Sequence, residues 1–145
     1  MPLVRSFDLS KKKGKKAWVE PQVDPHTCKI TFKVKRGDGV GPDGTMNRKG
    51  ATCLFCETPV LFEYIRNEGK AKRLGTHLLA MVTEGTNGRN YYSPDEYHEE
   101  LAKKANPPWK PEEKVTTPCH DVDRLPMYGM FSWGEAFTNR QLEAL

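Results

Sequence analysis

The chain has 145 residues, enough for one ordinary domain or a small domain with extensions. Hydrophobic residues make up 37%, and glycine and proline together number 23, so any core is thin and joined by many loops. No apolar run is long enough to span a bilayer, and the first residues lack the apolar stretch of a secretory signal, so the expectation is a cytoplasmic protein without membrane contact.

The net charge of +4 conceals a gradient. Residues 1–50 carry 12 Lys/Arg against 5 Asp/Glu, whereas residues 91–145 carry 6 against 10. A positive N-terminal part fits contact with a polyanion, and a negative C-terminal part fits another protein surface; a merely solvated exterior is the alternative.

In chain order, residues 10–16 (SKKKGKK) form a basic loop. From Thr27 to Arg36 the pattern alternates, with Cys28, Ile30, Phe32 and Val34 on one face and lysines on the other, predicting a half-buried strand. Ala17 to Val19 is its expected partner, with Pro21 and Pro25 confining the connection. Four glycines between Gly37 and Gly44 predict a loop; without a Gly-Lys-Ser/Thr ending or a following helix, they do not form a phosphate loop.

Pro59 to Ile65 is apolar enough to pack, and Gly69 to Gly75 forms a second basic loop. His77 to Glu84 reads as a strand, and Thr86-Asn87-Gly88-Arg89 as a hairpin turn leading into Tyr91 and Tyr92. Ser93, Pro94 and Glu96 predict a capped helix over 93–105, stopped by Asn106-Pro107-Pro108. Residues 106–127 read as a proline-rich linker, and Thr138 with Gln141 as a capping box for a helix expected to continue past the last residue. Four ranges are therefore expected: a β module over 1–92, a helix over 93–105, a linker over 106–127, and the start of a further domain over 128–145.

Three groups could carry chemistry. Cys53 and Cys56, two residues apart, can place both thiolates on one tetrahedral zinc ion. Cys28, His26, Cys119 and His120 are candidates for the remaining ligands, Cys28 foremost. A redox pair and two inert buried cysteines are the competing readings. Asn106-Pro107-Pro108-Trp109 matches an amino-methyltransferase tetrapeptide, but its place after a helix at the head of a linker makes it a connector. Finally, Lys11, Lys12, Lys13, Lys15 and Lys16 beside Trp18, and Arg89 beside Tyr91 and Tyr92, could bind phosphates and stack on bases. Lys70, Lys72 and Arg73 form a second such cluster. A solubilising surface with core aromatics competes with that reading. His77 and His98 stand alone, with no nucleophile to complete a catalytic set.

Several stretches together resemble one family: Pro2 to Pro21 (PLVRSFDLSKKKGKKAWVEP), Arg48 to Cys56 (RKGATCLFC), Tyr64 to Gly75 (YIRNEGKAKRLG), Tyr128 to Met130 and Phe137 to Leu142 (FTNRQL). They look like the middle of the large adenine-specific DNA methylases that contain a zinc ribbon, some of them linked to phage defence. The resemblance implies an α+β fold: a small antiparallel zinc-ribbon-like module, one capped helix and an extended proline-rich tail. It implies a partner Cys-x-x-Cys-Gly knuckle just before residue 1, and Glu57 stands where the family has glycine. The catalytic Asp-Pro-Pro-Tyr and the S-adenosylmethionine site would lie upstream. On this reading the chain is a non-catalytic segment of a DNA methyltransferase, with DNA and the remainder of the methylase, or a second copy of the chain, as partners; a structural or interaction module is the alternative.

Overall fold

The computed structural model describes residues 1–115 and 124–144. They form a small α+β protein of short antiparallel sheets and few helices, in two compact units. Unit 1 comprises residues 1–60 and 77–96, and unit 2 comprises 61–76 and 97–145. These units cut across the ranges expected from sequence, because residues 61–76 belong with the C-terminal part.

In unit 1 the main sheet has the order β1-β2-β3, with β1 at Asp8–Ser10, β2 at Ala17–Asp24 and β3 at Lys29–Arg36. The alternation in β3 is as expected: Ile30, Phe32 and Val34 turn inward and the lysines outward. In the β2–β3 register, Val19 faces Val34, Pro21 faces Phe32 and Val23 faces Ile30, so one face of the pair is apolar. Phe7, Val19 and Phe32 make the buried centre, with Val4, Leu9, Ile30, Leu54, Leu79 and Ala80 packed around it.

Two details depart from the sequence reading. Cys28 is not on the strand's inner face. The pairing of Asp24 with Lys29 leaves a four-residue turn, and Cys28 ends it exposed at φ +52°. Asp24 organises that turn, accepting from the His26 amide at 2.9 Å and the Thr27 hydroxyl at 2.7 Å. Pro21, expected in a connection, lies inside β2. The Val19 amide donates to Phe7 O on the β1 side, and amide direction repeats every second residue, so the ring nitrogen of Pro21 faces that same side. The β1 pairing has ended by then, so no ladder bond is lost.

The glycine loop has a packing role beyond turning the chain. A Cβ on Gly39 would collide with the Trp18 indole, and one on Gly41 would stand 2.8 Å from the Trp18 Cβ. At its end Thr45 is buried, and its hydroxyl accepts from the Val4 amide and donates to Pro2 O, both at 2.8 Å. That tie holds the N-terminal segment in place.

β4 (Gly50–Thr52) pairs with β5 (Pro59–Leu61) across the Cys53–Cys56 turn. β6 (Met81–Gly85) and β7 (Gly88–Tyr92) form the expected hairpin, although β6 starts four residues later than His77. The turn residues are Thr86 and Asn87, neither with positive φ, and Gly88 takes φ +107° at the start of the return strand. Gly85 pairs directly with Gly88, so the connection is a two-residue turn with unbroken register.

Unit 2 contains α1 (Phe62–Lys70), which sequence reading missed. Its N-terminus has no side-chain cap, and the preceding Pro59 to Leu61 reads as strand. Ile65 and Gly69 are its buried positions. Gly69 is a contact residue: a Cβ there would come within 2.5 Å of the Tyr128 carbonyl oxygen. α2 (Glu96–Lys103) is shorter than expected at both ends. Ser93 is turned to a different task, its hydroxyl accepting from the Val34 amide at 2.8 Å within unit 1.

The described part of the expected linker is docked. Val115 N donates to Phe131 O, Trp133 N to Glu113 O and Gly134 N to Pro111 O, at 2.9–3.0 Å. Short 3₁₀ turns occupy Leu125–Tyr128 and Trp133–Ala136. α3 (Asn139–Leu142) opens with the predicted capping box of Thr138 and Gln141, and buries Leu142. No helix among the described residues is long and apolar enough to cross a membrane.

Candidate nucleic-acid interface and cysteine knuckle

The cysteine knuckle is built by backbone hydrogen bonds. Cys53 N donates to Thr58 O and Glu57 N to Cys53 O, each at 3.0 Å, which folds the four residues into a tight turn. Glu57 closes it at φ +56°, a conformation that favours glycine. Leu54 packs on the unit 1 core and anchors the turn. Cys56 is exposed, with Sγ 3.2 Å from the Thr58 hydroxyl. That hydroxyl, followed by the Thr58 amide and the Cys53 thiol, holds the Cys56 thiol below its ordinary range. Thr58 is the residue sequence reading overlooked. Its signal was a hydroxyl two positions after a cysteine, where the chain turns back.

The turn brings the Cys53 and Cys56 thiols within hydrogen-bonding reach of each other. Among the described residues no three His, Cys, Asp or Glu side chains gather as a metal-holding set, so Cys28 and His26, on the β2–β3 turn, are not brought to the pair. Cys119 and His120 lie outside the described residues.

The two basic segments prove different in kind. Around Lys70 to Arg73 the chain terminates α1: Arg73 N donates to Glu68 O and Lys72 N to Gly69 O, both at 2.9 Å, with Lys72 at φ +57°. This is the Schellman pattern, with Lys72 at the left-handed position usually given to glycine. Arg73 then grips the Glu68 carboxylate through two bonds of 2.6 and 2.8 Å. The guanidinium keeps Glu68 below the usual carboxylate range. Lys72 donates to Gly129 O and meets Glu135 at 2.6 Å. The Lys72 ammonium, helped by the Phe131 and Ser132 amides, pulls the Glu135 carboxyl down to about 2. Both cations are thus occupied inside unit 2.

In unit 1 the basic loop and the β6–β7 hairpin converge. Lys12 and Lys15 line one side of a cleft of about 200 Å³, with Ser10 between strand and loop, and Asn87, Gly88, Arg89 and Tyr91 line the other. Lys15 donates to the Asn87 carbonyl, fixing the loop against the hairpin. Among the described residues no carboxylate pairs with Lys12, Lys15 or Arg89. Lys11 pairs with Asp8 at 3.1 Å, and Lys13 and Lys16 stand outside the cleft lining. The expected aromatics divide three ways. Trp18 is covered by the glycine loop, Tyr92 lies under Arg36 at 5.4 Å, and Tyr91 lines the cleft. Ser10 and Asn87 were missed as site residues in the sequence because they contribute through position, at the end of β1 and in the hairpin turn, and carry no charge.

Comparison of the chain with protein-family models, with curated proteins and with solved structures finds no match in any of the three.

Proposed function

We propose that this chain is a DNA-facing, non-catalytic segment of an S-adenosylmethionine-dependent adenine-specific DNA methyltransferase of the cytoplasm. The observation that supports it best is the unit 1 cleft, where Lys12, Lys15 and Arg89 converge with no carboxylate partner among the described residues. Such a cluster attracts phosphates and releases their counterions. The sequence resemblance supplies the methylase context, and in that context the knuckle is one half of a zinc ribbon. Cys53 and Cys56 would supply two thiolates, and another segment or chain the rest.

Mobility shift on duplex DNA at several salt concentrations tests the reading. Three phosphate contacts give a slope of log affinity against log salt of about −2.7. Absence of binding even at low salt would remove the proposal. Calorimetry with S-adenosylmethionine should show no heat for this chain, and a saturable signal would make it a methyltransferase in its own right.

A second reading is an interaction module that pairs with the remainder of the methylase or with another copy. Exposed Tyr97, Trp109 and Phe131 in unit 2 favour it. Sedimentation across a concentration series, and co-purification with the upstream methylase segment, decide the matter. A monomer that captures nothing ends this reading.

A further inference from the structure

The cleft has features that a site for duplex backbone alone does not need. Arg89 and Tyr91 alternate on β7, so both lie on one face of the hairpin, roughly 7 Å apart along the strand. That separation suits the phosphate and the base of a single nucleotide. The wall between the two sides is bare backbone at Gly88, where a Cβ would meet only the Lys15 ammonium, at 3.8 Å. The cleft is also small, below the roughly 300–1,000 Å³ of an enclosed small-molecule pocket. Glu84 stands opposite Arg89 in the hairpin register, but no ion pair joins them among the described residues.

A half-buried ring in such a recess is out of reach of a base that remains stacked and paired. A base that has left the helix, or that was never paired, can enter it. We infer that the Lys12/Lys15/Arg89/Tyr91 cleft holds one nucleotide of an unpaired DNA strand, with its base on Tyr91, its phosphate against Arg89 and the flanking phosphates against Lys12 and Lys15. The inference rests on the DNA-facing reading and deepens it by naming the strand state. Lys15, held by Asn87 O, keeps two ammonium hydrogens for a flanking phosphate. Tyr91 lines the cleft and Trp18 and Tyr92 do not, so Tyr91 is the ring that stacks.

The test uses the full chain and fluorescence anisotropy with three labelled probes of equal length: a thymidine strand, an abasic strand and a blunt duplex. The thymidine strand should bind about tenfold more tightly than the abasic one, because stacking is lost when the base is removed. Tyr91→Phe should retain that ratio, and Tyr91→Leu should bring thymidine down to the abasic level. Equal affinity for the thymidine and abasic strands with the unaltered protein overturns the inference, however the variants fold. If the duplex still binds with its salt slope in that case, the DNA-facing reading stands. If none of the probes binds, both fall.

Discussion

Unit 1 is organised around apolar side chains, and unit 2 around polar terminations. In unit 1, Phe7, Val19 and Phe32 are each at most 3% exposed and touch a ring of partly buried neighbours. In unit 2 the buried hydrophobic side chains among the described residues are Ile65, Ala105, Val115 and Leu142, and a Schellman end, two capping boxes and the Lys72–Glu135 pair add order. Charge follows the same division. Unit 1 holds 13 Lys/Arg against 9 Asp/Glu, whereas unit 2 holds 10 of each. Three surface pairs, Lys11–Asp8, Lys29–Glu96 and Lys35–Glu20, engage cations of unit 1, yet Lys12, Lys15 and Arg89 have no carboxylate partner among the described residues. In unit 2, Lys72 and Arg73 are committed to Glu135 and Glu68.

That contrast can be broken in several ways. Phe32→Ala should cost about 3–5 kcal/mol, enough to unfold unit 1, read as early loss of amide protection in β2 and β3. Loss of protection confined to α1 instead would contradict the assignment of the core. Gly69→Ala should cost about 1–3 kcal/mol in unit 2, because the added methyl meets the Tyr128 carbonyl; thermal melts and α1 exchange report it. Thr138→Ala should remove about 1 kcal/mol by leaving the first turn of α3 uncapped, visible as faster exchange at Gln141.

A fourth effect appears only in acid. Glu135 titrates near 2 when folded and in the ordinary carboxylate range when unfolded, so its contribution is complete above about 4.5 and fades as pH falls towards 2. Glu135→Gln should flatten the pH dependence of unit 2 across that window, monitored by melts at stepped pH. The smallest change is expected in binding. Neutralising Lys72 and Arg73 together should leave the DNA salt slope unaltered, whereas each neutralisation among Lys12, Lys15 and Arg89 should reduce it by about 0.9. An equal reduction from both sets would erase the distinction between the two basic segments.

Much of this was legible in the sequence wherever a local pattern had a local cause. The β3 alternation, the hairpin at Thr86 to Arg89 and the Thr138 capping box are all present in the structure. Elements whose cause is distant were not legible. α1 has no cap to announce it, and Gly69, read as a loop residue, is a helix residue selected by its contact with Tyr128. Ser93 fits a cap by spacing, but its hydroxyl goes to Val34. At the candidate site, Lys12, Lys15, Arg89 and Tyr91 were each visible as types. Their convergence was not, because it depends on how far the hairpin folds back on residues 10–16. Lys72 and Arg73 looked equivalent to them, and only the Glu68 and Glu135 partners separate the two groups.

The placement of Pro21 reaches beyond the single molecule. Past Glu20, β2 pairs among the described residues with β3 alone, and the other side would ordinarily attract a strand from a second chain. Proline removes the first donor of that stretch, so an incoming strand finds a gap where its ladder should begin. Pro21→Val would restore the donor beside Val19 and Val23, and concentrated solutions of the variant should turn cloudy sooner than those of the parent.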